Sequence, residues 1–600
     1  DMPVPPFVDT VTPEQYPKSF TLDFPVVGNG TFPELNDECG VNTVASNTGV
    51  NEFQERALSL GLTKEHGFHY ETWFGGSNAQ TEAVMIAGGV SSTYLDNDCW
   101  PDLIFSGGDV SGVVFYTNEA GESFSQSELF KEPLPHARFT GSAYADLNGD
   151  YNRELLFGNM WEEGAATPVF AINEDGKYVN LATLPMSRSV YGISFGFVGN
   201  HDYPGFYMGH WPGQGLAGAA PAFMQMTDGS TLEPFDNKIN LTTSTVDQSF
   251  NFTPLFHDLN GDSYQDILIA SDFGTSSVLE NITSDEIADT DWRFFINITD
   301  RDVITDENGM GSTTGDFENR GKIDWFVTSI LDPDGEAEAN WGVSGNRLYR
   351  NDSADGAMSF SDVTEQSGLR DGGWGWGACS FDFNNDGFLD IFHVNGFGYI
   401  ADIADLPESE TDKFEALRAR WNEITESEFQ QKPPKLFINN GNGSFDDRSA
   451  EWGLTLPSEG RGLACFDYDR DGDVDIAVFD HSNRLQFFEN KTGNGYSSRF
   501  LNVRLVGESP NTDALGAKVY VTADVGRQFG QQTMMRVSQA NSNFNSQNLP
   551  DMHFGLGYAD SIQRLSVTWP DGSELVCEDL PVNEFVVIDQ RQGSGAGVCP

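Results

Sequence analysis

Short runs of β-favouring apolar residues, each bordered by the same alternation of acidic and amide side chains, dominate the middle of the chain. Ile267-Leu268-Ile269, Ile391-Phe392 and Ile476-Ala477-Val478 each follow an Asp, while Cys379-Ser380-Phe381 and Ala464-Cys465-Phe466 each precede one. Runs this short, bounded by Asn, Asp and Gly, predict strands joined by tight turns. After about residue 495 the pattern lengthens. Phe500 to Val506, Ala517 to Thr522 and Ile562 to Trp569 alternate sides, and Pro570-Asp571-Gly572 signals a turn, so a second, smaller β domain is expected. One stretch has helical period: between Thr411 and Phe429, the residues Phe414, Leu417, Trp421 and Ile424 share a face.

The bordering phrase is nine residues long and recurs. Its clearest copies are Asp258-Leu-Asn260-Gly-Asp262-Ser-Tyr264-Gln-Asp266, Asp382-Phe-Asn384-Asn-Asp386-Gly-Phe388-Leu-Asp390 and Asp467-Tyr-Asp469-Arg-Asp471-Gly-Asp473-Val-Asp475. Oxygens at positions 1, 3, 5 and 9, with a backbone carbonyl near position 7, suit Ca²⁺, which takes about six to eight oxygen ligands. Tyr264, Phe388 and Asp473 are the position-7 candidates. A fourth copy carries Asp146, Asn148, Asp150, Asn152 and Glu154, with Glu in the last place. A fifth keeps Asp316, Glu318 and Asp324 but puts Arg320 at position 5, where its guanidinium is expected to compete for the ion's place. Three to five calcium ions follow. An EF-hand would close on Glu at position 12 between helices; here strands flank the phrase. A plain Asp/Asn/Gly turn explains one copy, not several at fixed spacing. Because only the folded loop assembles the ligands, a structural role is expected for the ions.

Decayed copies extend the count. Tyr94-Leu-Asp96-Asn-Asp98-Cys-Trp-Pro-Asp102 lacks the first ligand, and Phe197 to Gly205 keeps the rhythm without ligands. First positions at 94, 146, 197, 258, 316, 382 and 467 lie 52, 51, 61, 58, 66 and 85 residues apart. Units of this length, made of short strands, predict an all-β fold: a seven-bladed β-propeller with calcium-binding inter-strand loops, followed by a C-terminal β-rich domain. The expected boundaries are residues 1–80 for an N-terminal extension, either a ring-closing strand or a free arm, 81–495 for the propeller with a helical insertion near 409–430, 496–592 for the second domain and 593–600 for a tail. An eighth, metal-free blade is the alternative to the insertion.

The formal charge is −58, more than calcium loops alone account for, so the solvated surface is strongly acidic. Such a field excludes nucleic acid and anionic membranes as partners. No run of eighteen apolar residues occurs, so no membrane span is expected. The start at Asp1 fits a processed secreted form. Among six cysteines, Cys379 and Cys465 stand before neighbouring phrases and could tie adjacent repeats, and Cys577 with Cys599 could staple the C-terminus; buried free thiols are the alternative. Sequons at Asn29, Asn240, Asn251, Asn281, Asn297, Asn351, Asn442 and Asn490 permit glycosylation of a secreted chain. Nine scattered histidines form no hydrolase or phosphate-loop motif, and no catalytic residue is assigned.

The repeats resemble FG-GAP or VCBS repeats of integrin-α-like propellers, through Asn346-Arg-Leu-Tyr-Arg-Asn351, Phe360-Ser-Asp-Val-Thr364, Gly373-Trp-Gly-Trp-Gly377, Lys435-Leu-Phe-Ile-Asn-Asn440 and Gly443-Ser-Phe445. Leu501 to Gly507, Asp513 to Val519, His553 to Gly557 and Val567 to Gly572 resemble the ASPIC/UnbV domain, a pairing similar to the cartilage acidic protein family. The resemblance implies a secreted protein with one ion per loop, between the first two strands of a blade. It implies an association with extracellular matrix or adhesion and no established catalysis. The first functional reading is an extracellular recognition or adhesion protein for a glycan or protein ligand. Trp374 and Trp376 are read as packing between blades, with stacking on a sugar ring as the alternative. The second reading is a self-associating subunit of a filament or surface sheath, and a propeller hydrolase is the third.

Overall fold

The computed structural model describes residues 9–11, 19–25, 52–63, 86–107, 113–134, 139–160, 166–198, 201–211, 217–218, 223–234, 239–240, 250–283, 294–331, 344–397, 429–492, 499–593 and 599, except 97, 133, 173–175, 186–188, 482–484 and 527. Its regular structure is nearly all β, in many antiparallel sheets. Seven of these follow one another from residue 89 to residue 490. Each opens with an inner strand: Gly89–Thr93, Phe139–Ala145, Ser189–Gly196, Asn251–His257, Ser312–Gly315, Gly375–Phe381 and Gly460–Phe466. Most of these residues are buried, which is why the runs read as apolar or small rather than alternating.

The nine-residue phrase forms the turn from first to second strand. Its last residue begins the second strand, so Asp102, Glu154, Asp266, Asp324, Asp390 and Asp475 each open one. Third and fourth strands then step outward in antiparallel order. The inner strands pack on one another in succession, and Gly460–Phe466 packs on Gly89–Thr93. Between the fourth and fifth sheets, where strand contact is thinner, Thr253 donates to the Met310 carbonyl at 2.7 Å and Thr314 Oγ1 meets His257 Nε2 at 2.7 Å. The fourth strand of the seventh sheet comes from the N-terminal region: Phe53–Glu55 pairs antiparallel with Gln486–Asn490. A disulfide joins Cys379 to Cys465 on adjacent inner strands.

Residues 499–593 form a separate β module. A three-stranded sheet of Met552–Gly557, Arg499–Val506 and Glu584–Asp589 and a four-stranded sheet of Gln531–Val537, Lys518–Asp524, Ile562–Thr568 and Glu574–Leu580 share a core that includes Val503, Val521, Phe554, Leu565 and Val567. Cys577 and Cys599 are bridged.

The module sends a hairpin into the middle of the seven sheets. Ser542 pairs with Gln547 across a tip at Phe544 and Asn545, both at positive φ. Around this tip, hydrogen bonds reach Val90, Tyr144, Ser194, Phe256, Ala378 and Leu463, one on each of six inner strands. Close approach demands small residues opposite: a Cβ built on Gly89 or Gly141 would lie 1.9 or 2.1 Å from the Asn545 carbonyl, and one on Gly462 would lie 2.1 Å from Ser546 Oγ. These glycines stand five residues before the first position of the phrase. So do Gly192, Gly311 and Gly377, with Thr253 the exception.

Several open alternatives are decided. Trp374 and Trp376 are 3 % and 2 % exposed and pack with Phe397, as the packing reading has it, so neither stacks on a sugar at the surface. Asn251, Asn281, Asn351 and Asn490 are at most 3 % exposed with committed amides, so the folded chain hides these four sequons. Asn442 is exposed. Most of the helical stretch from Thr411 to Phe429, His66, His69, Asn29, the side chain of Asn240 and most of the N-terminal extension and tail lie outside the described residues.

Candidate metal centres

Four phrases fold into the same loop, because the same backbone N–H groups seek the same carboxylates. In the copies at 146, 258, 382 and 467, Oδ2 of the first Asp accepts from the position-6 N–H, at 2.6, 3.2, 2.7 and 2.9 Å. The position-5 carboxylate accepts from the position-7 N–H of Asn152, Tyr264, Phe388 and Asp473 at 2.8 to 3.0 Å. Position 6 is left-handed throughout: Tyr151, Ser263, Gly387 and Gly472 have φ of 70, 74, 99 and 93°. That bend turns each loop back onto its own first carboxylate.

The ninth residue fastens the loop to its sheet. One oxygen of Asp266, Asp390, Asp475 or Asp102 accepts the position-2 N–H, and the other accepts the N–H of an Asn ending the third strand. Those residues are Asn281, Asn439, Asn490 and Asn118, each at 2.8 Å. In the fifth copy Asn351 does the same for Asp324. Sequence reasoning passed over these asparagines. Their signal was recurrence as the last residue of an apolar strand, in Phe487-Phe488-Glu489-Asn490 and Phe437-Ile438-Asn439 alike.

The 467 loop is the most enclosed. One oxygen each of Asp467, Asp469 and Asp475 lie within 4.8 Å of one another, the one such triad of acids among the described residues. Burial first, and then the neighbouring carboxylates, hold Asp467, Asp473 and Asp475 well above the usual range and Asp471 at about 8. In the 382 loop burial lifts Asp382 to about 6 and, with the neighbouring aspartates, Asp386 and Asp390 well above their usual range. Asp266 is raised to about 8 and Asp146 to about 7, burial leading in both and the Asp513 charge adding to the second. Glu154 is raised by burial and Asp146, and its buried Oε1 has no hydrogen-bond partner; nor has Asp473 Oδ2. Crowded, desolvated carboxylates with orphaned oxygens are the donor set of a hard cation, so these residues fit Ca²⁺.

Two copies are held differently. Arg320 places Nε 2.8 Å from Glu318 and Nη2 2.7 Å from Asp324, so a guanidinium bridges two of the three expected ligands there. Asp324 still sits at about 7, raised by burial against the Arg320 charge. At 94, Tyr94 donates to Asp551 of the module, and Arg504 grips Asp551 with two 2.7 Å bonds while lying over the Tyr94 ring.

The module covers much of this loop face. Thr512 donates to Asp146 Oδ2 at 2.5 Å, the Asp146 N–H donates to Asp513, and Lys518 Nζ reaches Asp258 Oδ2 at 2.9 Å. The Gly557 N–H donates to the Asn385 carbonyl at 2.7 Å, and His553 Nε2 donates to the Gly472 carbonyl at 3.1 Å. Gly261, Asp262 and Ser263 of the 258 loop remain exposed.

Residues 507–595 match the family model described as ASPIC and UnbV. Residues 427–501, which include the 467 loop, match an FG-GAP-like repeat. No curated protein matches the chain. Solved structures with some likeness include the rhamnogalacturonan lyase YesW, at 10 % identity over 68 % of this chain and 90 % of that one, with a TM-score of 0.26. Another is the GH74 enzyme of Niastella koreensis, at 12 % over 84 % and 68 %, TM-score 0.37. A third is a sialidase of Trypanosoma rangeli, at 8 % over 63 % of this chain, TM-score 0.29; the chain spans 58 % of its length. Scores this low bear on neither activity nor substrate.

Proposed function

We propose that the chain is a calcium-loaded, seven-bladed β-propeller that works outside the cell as a recognition or adhesion protein for a glycan or protein ligand, its ions structural. The observation that carries the metal reading is the enclosed 467 loop, where one oxygen each of Asp467, Asp469 and Asp475 converge within 4.8 Å. Support for the propeller is the cyclic packing of seven inner strands, with Phe53–Glu55 completing the last sheet. Asp467, Asp469, Asp471 and Asp475 would hold one ion. Asp382, Asn384, Asp386 and Asp390 would hold a second, and the 258 and 146 loops two more. Bound calcium neutralises carboxylates that otherwise repel inside the fold.

The disulfides suit an oxidising compartment, and no described helix is long and apolar enough to cross a membrane. With much of the loop face under the module, a partner would meet other surfaces, and a charge of −58 selects neutral or basic ones. Calorimetric titration of chelator-treated protein tests the metal reading: three or four calcium ions per chain are expected, and fewer than two would overturn it. Binding to glycan and matrix-protein arrays tests recognition, and an array without a saturable partner would sink it.

A further inference from the structure

The loops that would hold calcium are also the loops that hold the module. In the 146 loop, Asp146 uses its backbone N–H on Asp513 and Oδ2 on Thr512. In the 382 loop, Gly555 abuts the first ligand so closely that a Cβ there would lie 2.1 Å from Asp382 Oδ2. In the 467 loop, Gly472 lies against the Phe500 ring and accepts from His553, while the Arg470 guanidinium sits 3.8 Å from the Phe585 ring centroid. Asn385 ties two loops together, donating to Asp473 and to the Gly472 carbonyl while its own carbonyl receives the Gly557 N–H. A change in the shape of any of these loops therefore reaches the module directly.

Beside the hairpin, part of the remaining interface is loosely filled. Between the module and the inner strands lies a cavity lined by His257, Asp316, Arg536, Asp551 and His553 among others. Arg536 Nη2, His257 Nδ1 and His553 Nδ1 are buried beside it without partners. At this cavity the module is not closely packed on the inner strands, and buried unpartnered polar atoms weaken an interface.

We propose that cation occupancy of the 146, 258, 382 and 467 loops locks the C-terminal module onto them, with its Ser542–Gln547 hairpin in the axial channel, and that losing the cations releases the module as a unit. This inference rests on the calcium reading above. Its sign follows from the charges. The 146 loop has three carboxylates, Asp146, Asp150 and Glu154, and Asp513 adds a fourth from the module side, where Arg153 of the same loop pairs with it at 2.8 Å. Two positive charges from Ca²⁺ relieve the crowding among the loop's own carboxylates and leave the Arg153–Asp513 bridge in place. In the 382 loop Ca²⁺ leaves Asp382, Asp386 and Asp390 net negative, so Arg536 on the module side, which feels the charges of Asp382 and Asp316, is still attracted. Lys518, bonded to Asp258, keeps an anionic partner only insofar as Asp262 and Asp266 share the ion. That loop contributes least to the lock. Empty, the 467 loop leaves five aspartates side by side with no ion to gather their oxygens, so the turn on which His553, Phe500 and Asn385 converge loses its anchor.

Hydrogen exchange on the full chain tests this, at constant pH and well below the melting temperature, with calcium or with a chelator. Calorimetry on the same samples reports calcium binding separately. Chelation is expected to speed exchange about tenfold or more at residues 540–548 and at the Gly557 amide, within the usual range of coupling between two sites. The module's own strands at 518–524 and 562–568 should stay protected. Because coupling is reciprocal, Phe544→Ala, which loosens the hairpin without touching a loop, should weaken calcium binding severalfold. Calcium that binds without changing exchange at 540–548 would overturn the inference and leave the calcium reading standing. Uniform loss of protection across all seven sheets would overturn it too, since the ions would then hold the sheets rather than the module. Absence of calcium binding would remove the reading beneath it.

Discussion

Replacing Phe544 by Ala and, separately, by Gly probes the hairpin at its tip. The ring is fully buried and lies 5.3 Å from Trp376 and 5.5 Å from Phe252, between centroids. Truncating a core Phe to Ala costs about 3–5 kcal/mol. The backbone at Phe544 has φ of 108°, where a side chain is strained by about 1–2 kcal/mol and glycine is not. Glycine ordinarily destabilises a folded segment by about 0.5–1 kcal/mol relative to alanine. At this position the order should invert, with Phe544→Gly the more stable of the two by about 1 kcal/mol and both well below the parent. Phe252, buried on an inner strand and absent from the positive-φ residues, is the control, where Ala should exceed Gly. Urea unfolding in saturating calcium reads the effect, followed by tryptophan fluorescence because Trp376 reports on the tip; midpoints compare directly while slopes agree. If Gly at 544 is worse than Ala, the backbone is not in the conformation described. If both variants match the parent within about 0.5 kcal/mol, below the effect of any core truncation, the hairpin is not packed between the inner strands.

Three further outcomes are expected. Without metal, Asp146 at about 7 and Asp266 and Asp471 at about 8 bind protons in the folded chain that an unfolded carboxylate, near about 3.9, has lost. Stability of the metal-free chain from this source falls as pH rises from about 5 to 8, so the gain on adding calcium should grow across that window. Asp146, 2 % exposed, would add on the order of 3 kcal/mol between about pH 5 and 7; thermal shifts with and without chelator measure this, and a flat difference would contradict it. Asp469→Asn should stabilise the chelated protein and destabilise the calcium form, whereas Asp324→Asn, which deprives Arg320 of its 2.7 Å partner, should cost about 1–3 kcal/mol in both. Arg504→Ala leaves Asp551 buried without its fork and should cost about 3–5 kcal/mol in chemical unfolding, with Lys a poor substitute because it cannot make both 2.7 Å bonds.

The loops were legible because their determinants are local. A left-handed sixth residue, an Asp whose carboxylate gathers the N–H groups four and five residues on, and an acid opening the next strand are all written within nine positions. Their repetition spaced the inner strands correctly, including the copy at Phe197 that has no ligands. The role of Arg320 as a bridge between Glu318 and Asp324 could be anticipated for the same reason: its reach is only a few residues. The burial of Trp374 and Trp376 was not decided by their glycine-flanked sequence, since what covers them includes Phe544, far along the chain.

By itself, then, the sequence determined the local turn, the strand that follows it and the period that multiplies both, because hydrogen bonds between near neighbours and an apolar run need no distant partner. Only the tertiary structure decided what the loops face. The glycine five residues before six of the seven phrases was visible as a repeated letter, but its cause at Gly89 and Gly141, the carbonyl of Asn545 within 2.1 Å of where a Cβ would stand, belongs to a hairpin more than four hundred residues away. Contacts between segments so far apart are set by which surfaces can exclude water and satisfy buried polar groups together. That is a property of the assembled shape and of no single stretch of the chain.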